Sequence, residues 1–122
     1  MKQKLPERRQ FIRVEVPLEL HIERGGETYS VVTKNISPVG VGVDVKEKFD
    51  EGDDLKMVLS LPDSDIPVEL EGRVVWQKRI SLEDNSSYEL GIAIVSIRDD
   101  SKNFFLKFLC DLLYNSEYKA RT

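Results

Sequence analysis

Val14-Glu15-Val16-Pro17-Leu18-Glu19-Leu20-His21-Ile22-Glu23 alternates apolar and polar residues along its whole length, and this alternation puts the chain in the β class. Successive side chains of an extended backbone point to opposite faces, so a period of two marks a strand with one buried face. Pro17 has no N–H to give to a ladder, which places this strand at an edge or a bulge. Gly25-Gly26 supplies the turn that follows.

The same period recurs downstream. Thr28 to Ile36 fits a second strand, and after a turn at Ser37-Pro38 the residues Val39, Val41, Val43 and Val45 make a third, with Gly40 and Gly42 on its other face. Two side-chain-free positions on one face point to close approach by a backbone or a ligand. A charged loop over 46–54 leads to Leu55, Met57, Leu59 and Leu61, the fourth strand, ended by Pro62-Asp63-Ser64-Asp65. The fifth runs from Ile66 to Trp76, with a bend or bulge at Gly72 and Trp76 read as core. Beyond Asn85-Ser86-Ser87, Tyr88, Leu90, Ile92 and Ile94 supply the sixth.

The period then lengthens. Asp99, Asp100 and Ser101 offer helix N-cap chemistry ahead of Phe104, Phe105, Phe108, Leu109, Leu112 and Leu113, which recur at helical spacing. The expectation is an all-β domain with a terminal helix: a six-stranded antiparallel β-barrel over 13–97, and a C-terminal α-helix over 99–118 packed on an open end. Cys110 falls in the helix and is expected to be a buried or half-buried apolar group. At about 100° per residue the helix's apolar residues, Leu106 included, cover more than half its circumference, so the excess fits either a homodimer surface or scattered exposed groups.

At 122 residues with 40% hydrophobic content, the chain is expected to be one domain over 1–122. It contains neither a run of eighteen apolar residues nor a charged-then-apolar leader, which predicts no membrane span, no membrane partner and a cytoplasmic location. One cysteine and one histidine, His21 on the polar face of the first strand, provide no zinc set and no Ser-His-Asp or Cys-His catalytic set, so neither metal nor enzymatic activity is expected. The acidic stretch Asp50 to Asp54 lacks EF-hand spacing.

Charge is unevenly divided. Lys2, Lys4, Arg8, Arg9 and Arg13 against Glu7 give residues 1–13 a charge of +4 in a chain of net −4, leaving −8 for the remainder. A basic arm over 1–12, which lacks any apolar period and contains Pro6, is expected to be mobile ahead of an acidic body. That division disfavours a nucleic-acid polymer.

Two motifs carry binding chemistry. Arg8, Arg9 and Arg13 bring guanidinium groups that can fork onto a phosphate, fork onto the O6 and N7 edge of guanine, or stack on a purine. Asn35, Ser37 and Gly40 sit at a turn between strands, where the amide carbonyl can accept from the N1 and N2 edge of guanine, the hydroxyl can donate or accept, and the glycine leaves room. Taken separately, the arginines also fit solvated surface charge, and the turn also fits an Asx or Ser turn that bonds its own backbone.

In order and at this separation, Arg9-x-x-x-Arg13 followed by Asn35-x-Ser37-x-x-Gly40 resembles the PilZ domain, a bacterial receptor module for cyclic di-GMP. The resemblance extends over nearly the whole chain, including Gly72 to Trp76 and Tyr88 to Ile92. It implies a PilZ-type barrel in which Arg9 and Arg13 hold phosphate and guanine while Asn35, Ser37 and Gly40 form a base-binding turn. An arginine at the position of Arg8 implies two stacked ligand molecules per domain. Asn35 stands where the family more commonly has Asp, which removes a charge-assisted bond. The mechanism expected from the clustered charge is a switch in which ligand phosphates neutralise the arm and order it, changing the surface that a downstream protein partner meets. Two other readings are a PilZ-like adaptor that binds only protein, and an oligonucleotide-binding barrel, which would need the basic, aromatic-studded strand face that this acidic body lacks.

Overall fold

The computed structural model describes residues 13–62, 64–80 and 87–114. Six strands, β1 (Glu19–Arg24), β2 (Glu27–Ser37), β3 (Gly40–Val45), β4 (Asp54–Leu59), β5 (Val68–Arg79) and β6 (Tyr88–Ile97), precede a helix α1 (Asp99–Tyr114). They form a closed barrel in the order β1-β2-β3-β6-β5-β4, and every neighbouring pair is antiparallel. This is the six-stranded antiparallel barrel with a terminal helix expected from the alternation. Closure leaves no edge to protect.

The inward set of each strand fills the barrel. Leu20, Ile22, Ile36, Val41, Val43, Leu55, Met57, Leu59, Val68, Leu70, Val74, Leu90 and Ile92 are all buried. One end is closed by α1, whose Phe105, Leu109 and Leu112 join the same core and whose Ser101 hydroxyl donates to Pro67 O at 3.4 Å. At the other end Phe49 is wholly buried, and Gln77 holds its backbone like a strand partner: Phe49 N donates to Gln77 Oε1 at 2.7 Å, and Gln77 Nε2 donates to Phe49 O at 2.5 Å. Arg24 lies 4.0 Å over the Phe49 ring and pairs with Asp53 at 3.1 Å.

Several local expectations are corrected. β1 begins at Glu19 rather than Val14, because Pro17 interrupts the ladder. Val14 to Leu18 nevertheless stay pinned along β2: Val14 and Ile36 exchange backbone bonds of 2.9 and 3.0 Å, and Thr33 N donates to Leu18 O at 2.9 Å. The buried Thr33 hydroxyl fills the gap Pro17 leaves, donating to Val16 O at 2.7 Å and accepting from Leu18 N at 2.9 Å. Val39 lies in the turn before β3 and β5 starts at Val68, not Ile66. Cys110 is exposed, since the stripe Phe105, Leu109, Leu112 faces the barrel and Cys110 is turned about 100° from Leu109. The last expected helical positions, 115–118, lie outside the described residues.

Gly72 is buried, and a methyl there would come 2.6 Å from Met57 Cε and 2.9 Å from Ala93 O. The register shift beside it is taken up by one extra residue on the opposite strand, Val95 of β6.

Replacing Thr33 by the isosteric Val leaves Val16 O and Leu18 N without their partner inside the protein. Urea denaturation should register a loss of about 1–3 kcal/mol. An unchanged midpoint would show that the 14–18 segment is not fastened by this hydroxyl.

Candidate functional site

Alternation alone would put Asn35 on the inner face with Thr33, two residues earlier. It does not, because Thr33 pairs with Val43 while Asn35 pairs with Gly42, so Lys34 is an extra residue in β2. This bulge turns Asn35 outward while Ile36 takes the inner position. A second bulge acts on β5 in the same way. Val74 pairs with Ile92 and Trp76 with Gly91, Val75 being the extra residue. Val74 stays buried and Trp76 turns out, 42% exposed, which corrects its assignment to the core.

Both outward side chains come to rest on glycine. Asn35, Gly42, Gly91 and Trp76 are successive cross-strand partners over β2, β3, β6 and β5, a row spanning about 14 Å at the usual strand spacing. Gly40 and Ala93 are partners one step along. Gly40, Gly42, Gly91 and Ala93 thus form a floor of small residues on the outer wall of the barrel. A methyl on Gly42 would lie 3.0 Å from Asn35 Oδ1 and Nδ2, and one on Gly91 would overlap the Trp76 indole at Nε1 and Cε2.

The third planar group is the Arg13 guanidinium, whose terminal nitrogens stand 3.4 and 3.5 Å from where a Gly40 methyl would be. Its Nε donates to Asn35 Oδ1 at 2.8 Å. Arg carries only donors, so the atom facing it is the amide oxygen, and Nδ2 is left as the donor of the pair. Partial burial in the groove lowers the Arg13 pKa from its ordinary value, and a guanidinium remains charged regardless. The groove encloses about 390 Å³ and is lined by Val39, Val75 and Glu89 as well as by the residues above.

Of the six residues singled out from sequence, Arg13, Asn35 and Gly40 meet in this groove. Ser37 does not open onto it. It is fully buried, and its hydroxyl accepts from Val39 N and Gly40 N, both at 3.2 Å, so it shapes the turn in the way of an ordinary Ser turn. Arg8 and Arg9 lie outside the described residues. Sequence reasoning passed over Trp76, Gly42, Gly91, Ala93 and Glu89 as site residues. The glycine pair on alternate positions of β3 was the one available signal, and it indicated a close approach without naming what approaches.

Glu89 closes one end of the groove within a second cross-strand row. Lys34 Nζ lies 3.5 Å from Asp44 and 3.3 Å from Glu89, and Lys78 Nζ lies 3.8 Å from Glu89. Burial pulls the Lys34 pKa down, but attraction to Asp44 and the hydrogen bond to Glu89 outweigh it, and the net direction is upward. Among the described residues no group of three or more His, Cys, Asp or Glu side chains could hold a metal ion, and no helix is long and apolar enough to cross a membrane.

A protein-family model described as the PilZ domain matches residues 7–109. No curated protein matches the chain. Among solved structures, the Bacillus subtilis inhibitor of motility (MotI/DgrA) is similar with a TM-score of 0.69 at 18% identity, over 88% of this chain and 50% of that one. The K. pneumonia MrkH–c-di-GMP complex gives 0.71 at 20% identity, over 96% and 55%. The PilZ domain with c-di-GMP of YcgR from Escherichia coli gives 0.64 at 12% identity, over 84% and 88%. The chain spans about half the length of MotI and of MrkH. At these identities the likeness is one of fold.

The indole is the chain's single tryptophan, so its fluorescence reports on the floor alone. Gly91→Ala should push Trp76 off the floor into water, shifting its emission to the red while the far-UV dichroism stays β-type. An emission maximum identical to the parent's would mean that the indole does not rest on Gly91 in solution.

Proposed function

Since the chain belongs to the PilZ domain family, we propose that it is a non-catalytic receptor for cyclic di-GMP, a single domain over 1–122 that turns ligand binding into a change of protein contacts. The observation that carries this reading is the 2.8 Å bond from Arg13 to Asn35, which joins the two sequence motifs at the lip of a floor built from small residues. A ligand with phosphates and flat bases suits that arrangement. Guanidinium groups grip phosphate and guanine, and glycines allow a ring to approach the backbone. Cyclic di-GMP is the ligand in the complexes of MrkH and YcgR to which this fold is similar.

In the proposed mechanism Arg9 and Arg13 hold phosphate and guanine. Asn35 and Gly40 receive the base, Ser37 fixes the turn that presents them, and Arg8 stacks on a second ligand molecule. The ligand's negative charge neutralises the arm, which closes over the floor as it orders. A downstream protein then meets a different surface. Pairing of two copies through α1 belongs to the same reading and draws support from Phe104 and Leu113, which are exposed on the helix.

Calorimetric titration with cyclic di-GMP tests the receptor. Arg9→Ala and Arg13→Ala should each weaken binding about ten- to a hundredfold, the worth of a charged hydrogen bond. Arg8→Ala should lower the molar ratio from two ligands to one. No heat from the parent protein with ligand at roughly tens of micromolar overturns the proposal.

A further inference from the structure

Alternation alone would carry β5 on without interruption: Val68, Leu70, Gly72 and Val74 are buried, and the next position on that face is Trp76. Instead the extra residue Val75 turns Trp76 to the groove and brings Gln77 to the inner face, opposite the buried Leu90. A polar side chain at the mouth of an apolar barrel needs partners, and Gln77 finds both in one residue. Its Oε1 accepts from Phe49 N at 2.7 Å and its Nε2 donates to Phe49 O at 2.5 Å. On the other side of the bulge, Gly52 N donates to Val74 O at 2.8 Å and Val74 N donates to Asp53 O at 3.0 Å. The segment 49–53 therefore grips β5 both before and after Val75.

Resting on the receptor reading above, we propose that Gln77 is a positioning residue for the ligand groove: its clamp on Phe49 fixes the Val75 bulge and so keeps the Trp76 indole on the groove side of β5. Gln77 does not line the groove, whereas Trp76 lines it together with Arg13, Asn35 and Gly40. Annealing the bulge would slip the rest of β5 by one residue, which turns Trp76 inward, turns Gln77 outward and breaks both Phe49 bonds. Phe49 is a firm anchor because other elements hold it. Its buried ring lies 5.3 Å from that of Tyr29 and 4.0 Å from the Arg24 guanidinium, which also donates to Lys48 O at 3.3 Å and to Asp53 Oδ2 at 3.1 Å. The placing of the indole and the fastening of the loop then form one equilibrium. A ligand that binds only with the indole outward must in turn tighten the loop.

The test reads cyclic di-GMP affinity, Trp76 emission and amide hydrogen exchange. Gln77→Met keeps the length of the side chain and removes both bonds. Its emission should shift to the blue as the chain's single indole enters the barrel. Its affinity should fall about tenfold, in proportion to the fraction of molecules that keep the indole outward. Leu109→Ala, which opens a cavity in the core at the helix end, should lower stability at least as much yet leave emission and affinity at the parent's values. In the parent protein, saturating ligand should slow exchange of the Phe49 and Gly52 amides by at least about fivefold. Parent-like emission in Gln77→Met overturns the role of Gln77. An equal loss of affinity in Leu109→Ala also overturns it, since it would mark a general effect of stability, and so does unchanged exchange of both amides in the parent. A parent protein that binds no cyclic di-GMP overturns the receptor reading beneath, and the emission of Gln77→Met then still decides whether Gln77 holds the indole.

Discussion

A strand cannot move a side chain from one face to the other without gaining or losing a residue. The outer wall of this barrel rests on that rule at two places, Lys34 in β2 and Val75 in β5. Without Lys34, Asn35 would share the inner face with Thr33, and an amide with no partner in an apolar core costs about 1–3 kcal/mol. Without Val75, the indole of Trp76 would compete with Val74 and Ile92 for core volume. Each insertion disturbs a short stretch of ladder and moves one planar side chain to the outer face, where a glycine stands opposite. The bulges and the glycines are therefore one device. Gly42 would have no reason to lack a side chain if Asn35 pointed inward, and the same holds for Gly91 and Trp76.

The second support is the strip of chain before β1. Pro17 breaks its ladder, yet the Thr33 hydroxyl and the Val14–Ile36 bridge hold it against β2. Arg13 is consequently delivered to Asn35 by backbone bonds and not by its own long side chain. A guanidinium so placed has surrendered part of its rotamer entropy already on folding.

Much of this was legible in the sequence where a rule repeats. Alternation over Val14 to Ile22 and Val39 to Val45 identified strands, and the change of period after Asp99 identified the helix. Single insertions break no visible pattern. Val74 and Trp76 keep an apolar residue at every second position, so Trp76 read as core although the extra Val75 rotates it outward. Cys110 misled for a related reason, because an apolar residue next to a buried stripe is recorded by composition and not by angle. Ser37 was found as a motif position, but only coordinates distinguish a hydroxyl facing a ligand from one accepting Val39 N and Gly40 N. Glu89 left no trace at all, since one acidic residue among 22 acquires meaning only from the lysines and the groove around it.

An acidic protein proposed as a receptor for an anion looks contradictory until charge is assigned by place. Screening confines an exposed charge to a Debye length of about 8 Å at physiological salt, so the body's −8 acts on a ligand mainly through the groups bordering the groove. The carboxylates there, Asp44 and Glu89, are paired with Lys34 and Lys78, and Arg13 stands at the opposite end without a carboxylate beside it in the groove lining. The local balance is neutral at one end and positive at the other. Such a gradient suits the nucleotide proposed above, which carries phosphate on one side and a base on the other. The surrounding acidity meanwhile disfavours long polyanions, whose charge extends well beyond one groove. The proposed preference for a small nucleotide over a polymer thus rests on where the positive charge is placed, and needs no excess of it.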